Sequence, residues 1–201
     1  MMDKLENHPP DLKHLDYICG IDESGRGCLS GPVFAAAVIL PKDFESELIR
    51  DSKKLSEKKR LKAFELIKEV AISWNYCFIE PSIIDDINIQ EATYLAMINS
   101  VNKLKIKPEH LLVDGDRFTD KLDIPYTCVV KGDNKFLSIA SASIVAKVLR
   151  DKYMVNLHKQ YPKYKWESNK GYGSKEHINT ILESGVTKHH RMSFLKNILK
   201  N

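Results

Sequence analysis

Apolar and polar positions along this chain repeat with two periods, and the switches between them mark its elements. Tyr17-Ile18-Cys19-Gly20-Ile21 is a short apolar run that stops at the adjacent acids Asp22 and Glu23, and it reads as a strand from Tyr17 to Asp22. Val33-Phe34-Ala35-Ala36-Ala37-Val38-Ile39-Leu40 reads as a second, buried strand, stopped by Pro41. The short connection between them predicts an antiparallel hairpin. Ser56 is a good N-cap with Glu57 in the first turn, and Leu61, Phe64, Ile67 and Ala71 follow at helical spacing. Trp74, Tyr76 and Phe78 alternate with smaller residues in a strand ending at Glu80-Pro81. Ala92, Leu95, Ile98 and Val101 share one face of a helix from about Ile89 to Leu104.

Two more strands end in an acid beside a glycine: His110 to Asp114-Gly115, and Tyr126 to Val130 followed by Lys131-Gly132-Asp133. Leu137 to Asp151 is a helix whose many small residues suit close packing on a sheet or on another helix. Gly171-Tyr172-Gly173 is a tight turn, after which Ser174 caps a helix ending near Gly185. The tail, His189 to Asn201, is expected as a basic helix, and residues 1–16, with Pro9-Pro10, as a loose leader. Strands come first and then alternate with helices. That order predicts an α/β fold whose sheet is antiparallel at the start and parallel later, with a small helical subdomain after about residue 152.

The 201 residues suffice for one sizeable core, and 43% apolar with 29% charged residues is ordinary for a soluble globular protein. No apolar run has transmembrane length, and the N-terminus lacks the pattern of a secretory signal. Cys19, Cys28, Cys77 and Cys128 are scattered singly, with no CxxC pair for zinc, and are expected as reduced, mostly buried thiols of a cytoplasmic protein. The net charge of +4 is a mild bias, but its distribution is informative. Lys53, Lys54, Lys58, Lys59 and Arg60 form one basic cluster. Lys163, Lys165, Lys170 and Lys175 form another among Tyr161, Tyr164, Trp166 and Tyr172, as suits a nucleic-acid strand. A solvated helix face and an ordinary loop are the plainer explanations of the two.

The chemistry gathers at strand ends. Asp22-Glu23 is followed by Gly25-Arg26-Gly27, where glycines allow close approach of backbone and arginine suits a phosphate. A solvated strand-to-turn junction is the alternative for this stretch taken alone. Sites in open α/β sheets collect at strand ends where the topology changes. If the three strand ends are neighbours, Asp22, Glu23, Asp114 and Asp133 converge. Four carboxylates cannot stay ionised together without cations, and an all-oxygen set selects Mg²⁺ or Mn²⁺ over zinc. Two such ions, about 3.5–4 Å apart, would clamp the attacking water and the leaving oxygen of a phosphodiester.

Six motifs, in order, resemble those of ribonuclease HII. They are Gly20-Ile21-Asp22-Glu23-Ser24-Gly25-Arg26-Gly27, Asp51-Ser52-Lys53-Lys54-Leu55-Ser56, Val113-Asp114-Gly115, Lys131-Gly132-Asp133, Ile139 to Val148 with Arg150-Asp151, and Gly171-Tyr172-Gly173. The resemblance spans roughly residues 17–194. It implies a ribonuclease H-like mixed sheet flanked by helices, with residues 17–151 as catalytic core and 152–201 as a helical subdomain packed on it. It also implies an endonuclease that cuts the RNA strand of RNA–DNA hybrids and incises 5′ of single ribonucleotides embedded in duplex DNA, leaving a 3′-hydroxyl and a 5′-phosphate.

By the family pattern Asp22, Glu23, Asp114 and Asp133 are the catalytic, metal-binding acids, with two ions of Mn²⁺ or Mg²⁺ once substrate is bound. Gly25, Arg26 and Gly27 hold the ribonucleotide through its 2′-hydroxyl, Tyr172 packs on the neighbouring sugar, and Lys53 and Lys54 contact phosphate. The expected partners are RNA–DNA hybrid and ribonucleotide-containing duplex DNA, with no membrane, and a monomer. Ser24 stands where the family more often has alanine, and Cys28-Leu29-Ser30 where proline-leucine-alanine is common. Ser24 is shared with ribonuclease HIII, which usually carries lysine in place of Arg26 and an additional N-terminal domain; about sixteen residues before the first strand argue against it. A non-catalytic hybrid-binding protein is the rival from another class. His177, Arg150, Asp151, Ser141 and Ser143 are expected in packing or structural roles.

Overall fold

The computed structural model describes residues 5–119 and 121–200. Five strands form one sheet: β1 (Ile18–Ser24), β2 (Val33–Ile39), β3 (Ser73–Ile79), β4 (His110–Asp114) and β5 (Tyr126–Val129), in the order β3-β2-β1-β4-β5. β1, β2 and β3 are antiparallel neighbours, and β4 and β5 continue the sheet parallel to β1. This is the mixed sheet that the strand pattern predicts.

Alternation along β2 shows how the layers assemble. Phe34, Ala36 and Val38 face α1 (Glu57–Val70) and α4 (Leu137–His158), while Val33, Ala35, Ala37 and Ile39 face α2 (Pro81–Ile87) and α3 (Ile89–Asn102). Both faces are therefore buried, which is why the run carries no polar residue. α4 lies directly on β1: a Cβ on Gly20 would meet the Ser138 carbonyl carbon at 2.1 Å and the Ile139 nitrogen at 2.3 Å. Past the sheet, α4 carries a satellite core of Met154, Leu157, Tyr164, Trp166, Ile181 and Leu195. It joins α5 (Trp166–Asn169), α6 (Lys175–Ser184) and α7 (Met192–Leu195) to the rest.

The expected caps are present. Ser56 Oγ accepts from the Lys59 amide at 3.4 Å, and Ser174 Oγ from the His177 amide at 3.2 Å. Three expectations need correction. Pro81 does more than close β3: it opens α2, because proline's fixed φ and missing N–H suit the first position of a helix. The tail is not a continuous basic helix. His189 and Arg191 spend their backbone groups on the 29–31 loop, through Gly31 N to His189 O (2.8 Å) and Arg191 N to Leu29 O (2.9 Å), which leaves only the single turn of α7 and looser turns beyond it. The leader is tied down over its described part. Glu6 donates to Lys135 O and accepts from Leu137 N, both at 2.8 Å, and Asn7 Nδ2 donates to Lys42 O at 2.8 Å. Residues 1–4 of the leader and Asn201 of the tail lie outside the described residues. Of the four cysteines, all free, only Cys19 and Cys28 are buried.

Candidate active site

β1, β4 and β5 run side by side in the same direction, so their C-terminal ends share one edge of the sheet. Ile21 pairs with Val113, and Asp114 with Val129. Asp22 and Asp114 are thus the next residues on neighbouring strands. Asp133 follows in a single 3₁₀ turn, Gly132–Asn134, just after β5. That turn is fixed by the acid beside it, because the Gly132 amide donates to Asp114 Oδ1 at 2.7 Å. The three strand-end acids expected to converge are brought together.

Their electrostatics are those of acids with too little counter-charge, because Arg26 and Lys53 offset burial and mutual repulsion only in part. Burial pushes the Asp22 carboxyl well above the ordinary carboxylate range, and the charges of Glu23 and Asp114 push it further. Hydrogen bonds from Ser143 and from the Glu23 amide (2.7 Å) only partly offset this. Glu23 is also raised, chiefly by burial, against the pull of Arg26, whose guanidinium lies 3.5 Å away. Asp133 is raised by burial and by Asp51 and Asp114. Among the described residues no three acidic, histidine or cysteine side chains are closed into a ready-made metal cage. The donor set is nevertheless all carboxylate oxygen, which fits a hard divalent cation.

Two clefts flank this edge. One, about 240 Å³, is bordered by Glu23, Arg26, Tyr94, Asp114 and Arg117; the other, about 610 Å³, by Asp51, Lys54, Lys59, Asp133 and Asn134. Lys53 and Lys54 are exposed, and Lys54 Nζ donates to Asn134 Oδ1. Asn134 Nδ2 in turn donates to Asp133 Oδ1 (2.9 Å) and Asp51 Oδ2 (3.3 Å). Ser143, expected only to pack, bonds Ser52 Oγ at 3.0 Å as well as Asp22, and so links the basic segment to the acids. Asp51 and Asn134 are site residues that sequence reasoning left without a role, and Ser143 one to which it gave only packing. The one available signal was that Asp51 opens the motif containing Lys53 and Lys54.

The second basic and aromatic region is not an open aromatic surface as expected: Tyr164 and Trp166 are buried in the satellite core and Lys163 and Lys165 bond Ser184 O and Glu176, so Tyr172 is its exposed ring, beside Arg150 and the Gly25-Arg26-Gly27 turn. Gly25 has φ +94°, and a Cβ there would meet Arg150 Nε at 2.0 Å; Gly27 faces open space. Arg150 is fully buried and donates to the carbonyls of Pro32 (3.0 Å), Lys170 (2.9 Å) and Ser30 (3.2 Å). Arg191, also fully buried, donates to Gly31 O (2.9 Å) and to Arg26 O (2.8 Å). Burial and the nearby Arg150 charge pull it down to about 10. Tyr172 leaves 44% of its surface exposed, with Lys147 and Arg150 each 5.8 Å from its ring centre. His177 is buried, as expected for a packing residue. Asp151 pairs with Lys147 (2.8 Å) and Arg60 (3.6 Å), a structural role.

A mixed five-stranded sheet with acids at the ends of its three parallel strands defines a ribonuclease H-like nuclease. The fold is shared with the crystal structure of ribonuclease H2 from Pyrococcus horikoshii OT3, at TM-score 0.76 and 22% identity over 92% of this chain and 100% of that one. It is also shared with Bst-RNase HIII in complex with Mn²⁺, at TM-score 0.71 and 16% identity over 96% of this chain and 74% of that one. The family pattern of Ribonuclease HII matches residues 19–197. Ribonuclease HII of Bacteroides thetaiotaomicron is 54% identical over 87% of this chain and 88% of its own length. This chain belongs to the ribonuclease HII family. That decides between the two hybrid-nuclease readings in favour of HII.

Proposed function

We propose that this protein is an endonuclease that hydrolyses the RNA strand of RNA–DNA hybrids and incises 5′ of a single ribonucleotide in duplex DNA. The observation that supports the chemistry is the acidic edge, where Asp22, Glu23 and Asp133 are held above the ordinary carboxylate range by burial and by neighbouring acids. Asp22, Glu23, Asp114 and Asp133 would hold two divalent cations, Mg²⁺ or Mn²⁺. Bound there, such ions would supply water activation and charge neutralisation at the phosphodiester, whose hydrolysis would leave a 3′-hydroxyl and a 5′-phosphate.

Everything else falls to the chain's own residues. Lys54, on the larger cleft, and Lys53, whose charge acts on Glu23 and Asp133, hold phosphates and set the register of the strand. The Gly25-Arg26-Gly27 backbone meets the 2′-hydroxyl, the group that distinguishes a ribonucleotide from its DNA neighbours. Gly27, open to solvent, is the glycine at which a ligand can come close. Tyr172 presents a flat ring to the sugar on the 3′ side, where an apolar face favours deoxyribose. Asn134 and Ser143 orient Asp133 and Asp22 through the hydrogen bonds described above. No described helix is long and apolar enough to cross a membrane. We place the protein in the cytoplasm as a monomer, with residues 152–201 as a subdomain packed on the core.

The test is cleavage of end-labelled duplexes containing one ribonucleotide, or an all-RNA strand, with Mg²⁺ or with chelator. Incision of both in Mg²⁺ alone, 5′ of the single ribonucleotide, is the expected result. Binding without cleavage in Mg²⁺ and in Mn²⁺ would return the protein to the hybrid-binding class.

A further inference from the structure

His177 lies inside the satellite core with no exposed surface, yet both ring nitrogens are engaged in a defined way. Nδ1 lies 2.8 Å from the carbonyl oxygen of Tyr172, and Nε2 lies 3.1 Å from Trp166 Nε1. The indole N–H can only donate, so Nε2 must accept, and the proton must sit on Nδ1, where it is donated to Tyr172. Trp166 thus selects the one neutral tautomer that can grip the turn. The same carbonyl accepts the Ser174 amide at 2.9 Å, and the Tyr172 amide donates to Asn169 O at 2.9 Å. The backbone of Tyr172 is held from both sides while the residue remains 44% exposed, its ring beside Lys147 and Arg150. A packing role alone requires neither the tautomer nor the contact to this particular carbonyl.

We infer that His177 is a positioning residue for ribonucleotide-junction recognition: the Trp166–His177 relay fixes the height and tilt at which the Tyr172 ring meets the substrate sugar. The inference rests on the reading of Tyr172 given above. It predicts a selective defect. A single embedded ribonucleotide offers one sugar junction, and depends on the placement of that ring. An all-RNA strand offers many registers at which the acidic edge can act. Misplacement of a contact by about 1 Å can cost up to about 10²-fold in rate, so loss of the relay should lower junction incision by about tenfold or more relative to hybrid cleavage.

Two polar substitutions separate this from simple packing. In His177→Asn the side-chain amide reaches the position of Nδ1, and can still donate to the Tyr172 carbonyl. In His177→Gln it reaches the position of Nε2, faces Trp166 and leaves the carbonyl with the Ser174 amide as its remaining donor. kcat/KM is measured on a single-ribonucleotide duplex and on an all-RNA hybrid, with thermal midpoints recorded for both variants. His177→Asn is expected to keep the wild-type ratio of the two activities and His177→Gln to lower it about tenfold, at comparable thermal midpoints. Equal ratios in the two variants overturn the inference. Tyr172→Ala is the control for the reading beneath it. If that variant keeps the wild-type ratio, the role of Tyr172 fails and the relay's role with it. If it loses the ratio while the Asn and Gln variants remain equal, only the relay is refuted.

Discussion

The acidic edge of the sheet and the Gly25–Gly31 loop beside it solve opposite electrostatic problems. At the edge, Asp22, Glu23 and Asp133 sit in or near the interior with too few positive charges, and burial holds each above its ordinary range. In the loop, two fully buried guanidiniums, Arg150 and Arg191, have no carboxylate hydrogen-bonded to them among the described residues; Arg150 turns Nε, Nη1 and Nη2 and Arg191 turns Nε and Nη1 to backbone carbonyls, while Arg191 Nη2 is left unpaired. Carbonyl dipoles satisfy a guanidinium's donors without cancelling its charge. The loop region is therefore wired in the folded chain itself, whereas the acidic edge gains its missing charge only from outside. The loop is braced within the folded chain, and the acidic edge is left short of positive charge.

Breaking the wired side should cost the most. Arg150→Met keeps most of the stem but strands the carbonyls of Pro32, Lys170 and Ser30. At about 1–3 kcal/mol for each buried acceptor left unsatisfied, urea denaturation should show a loss of about 4 kcal/mol or more. A loss below 1 kcal/mol would mean that these contacts do not organise the loop.

The conditional side should behave in reverse. Asp22→Asn should lower hybrid cleavage in Mg²⁺ by about 10²–10³-fold or more, the scale seen when one preorganised charge-stabilising group is removed, while raising the thermal midpoint in chelator. The pH dependence follows from the direction of the shift. A carboxyl whose value is raised by folding opposes the fold once it ionises. That penalty is absent below about pH 4, where Asp22 is protonated folded or unfolded. It grows as pH rises from there through the raised value. The stabilisation by Asp22→Asn should accordingly be larger at pH 7 than at pH 4, as differential scanning calorimetry would read. A variant no more stable at pH 7 than the parent would remove the idea of stored repulsion.

Lys54→Ala makes the smallest change and sharpens the boundary between the two regions. Lys54 is exposed, and its ammonium donates to Asn134 Oδ1. Stability should barely move, and the slope of log K for hybrid binding against log salt should flatten by about one unit. An unchanged slope would make the cluster an ordinary solvated surface.

The acidic edge was legible in the chain because each of its members announces itself locally. Asp22, Asp114 and Asp133 close apolar runs next to glycines or another acid, although their convergence stood only as a condition on the three strand ends being neighbours. The loop's wiring was not legible. Arg150 reads as one more charged residue near the end of a helix, and nothing in its neighbours says that Pro32, Ser30 and Lys170 will surround it. Arg191 looked like part of a basic tail, and became a buried bracket because the 29–31 loop captures the backbone on either side of it. Pro81 misled for a simpler reason: it stops a strand and starts a helix with the same ring. Contacts that depend on distant segments carry no local period, so the regions richest in them were the ones the sequence left unread.

The close passage of α4 over β1 has a consequence in mutational terms. Every base change that alters a glycine codon to another residue adds at least a methyl group. At Gly20 that methyl would lie about 2 Å from the backbone of Ser138 and Ile139, where no rotamer change can make room. Position 20 therefore has no neutral neighbour in sequence space, although it binds nothing and bears no charge. A survey of inactivating substitutions should find it as intolerant as the acid two residues further on, and an alternative residue there should appear only together with a change that moves the helix.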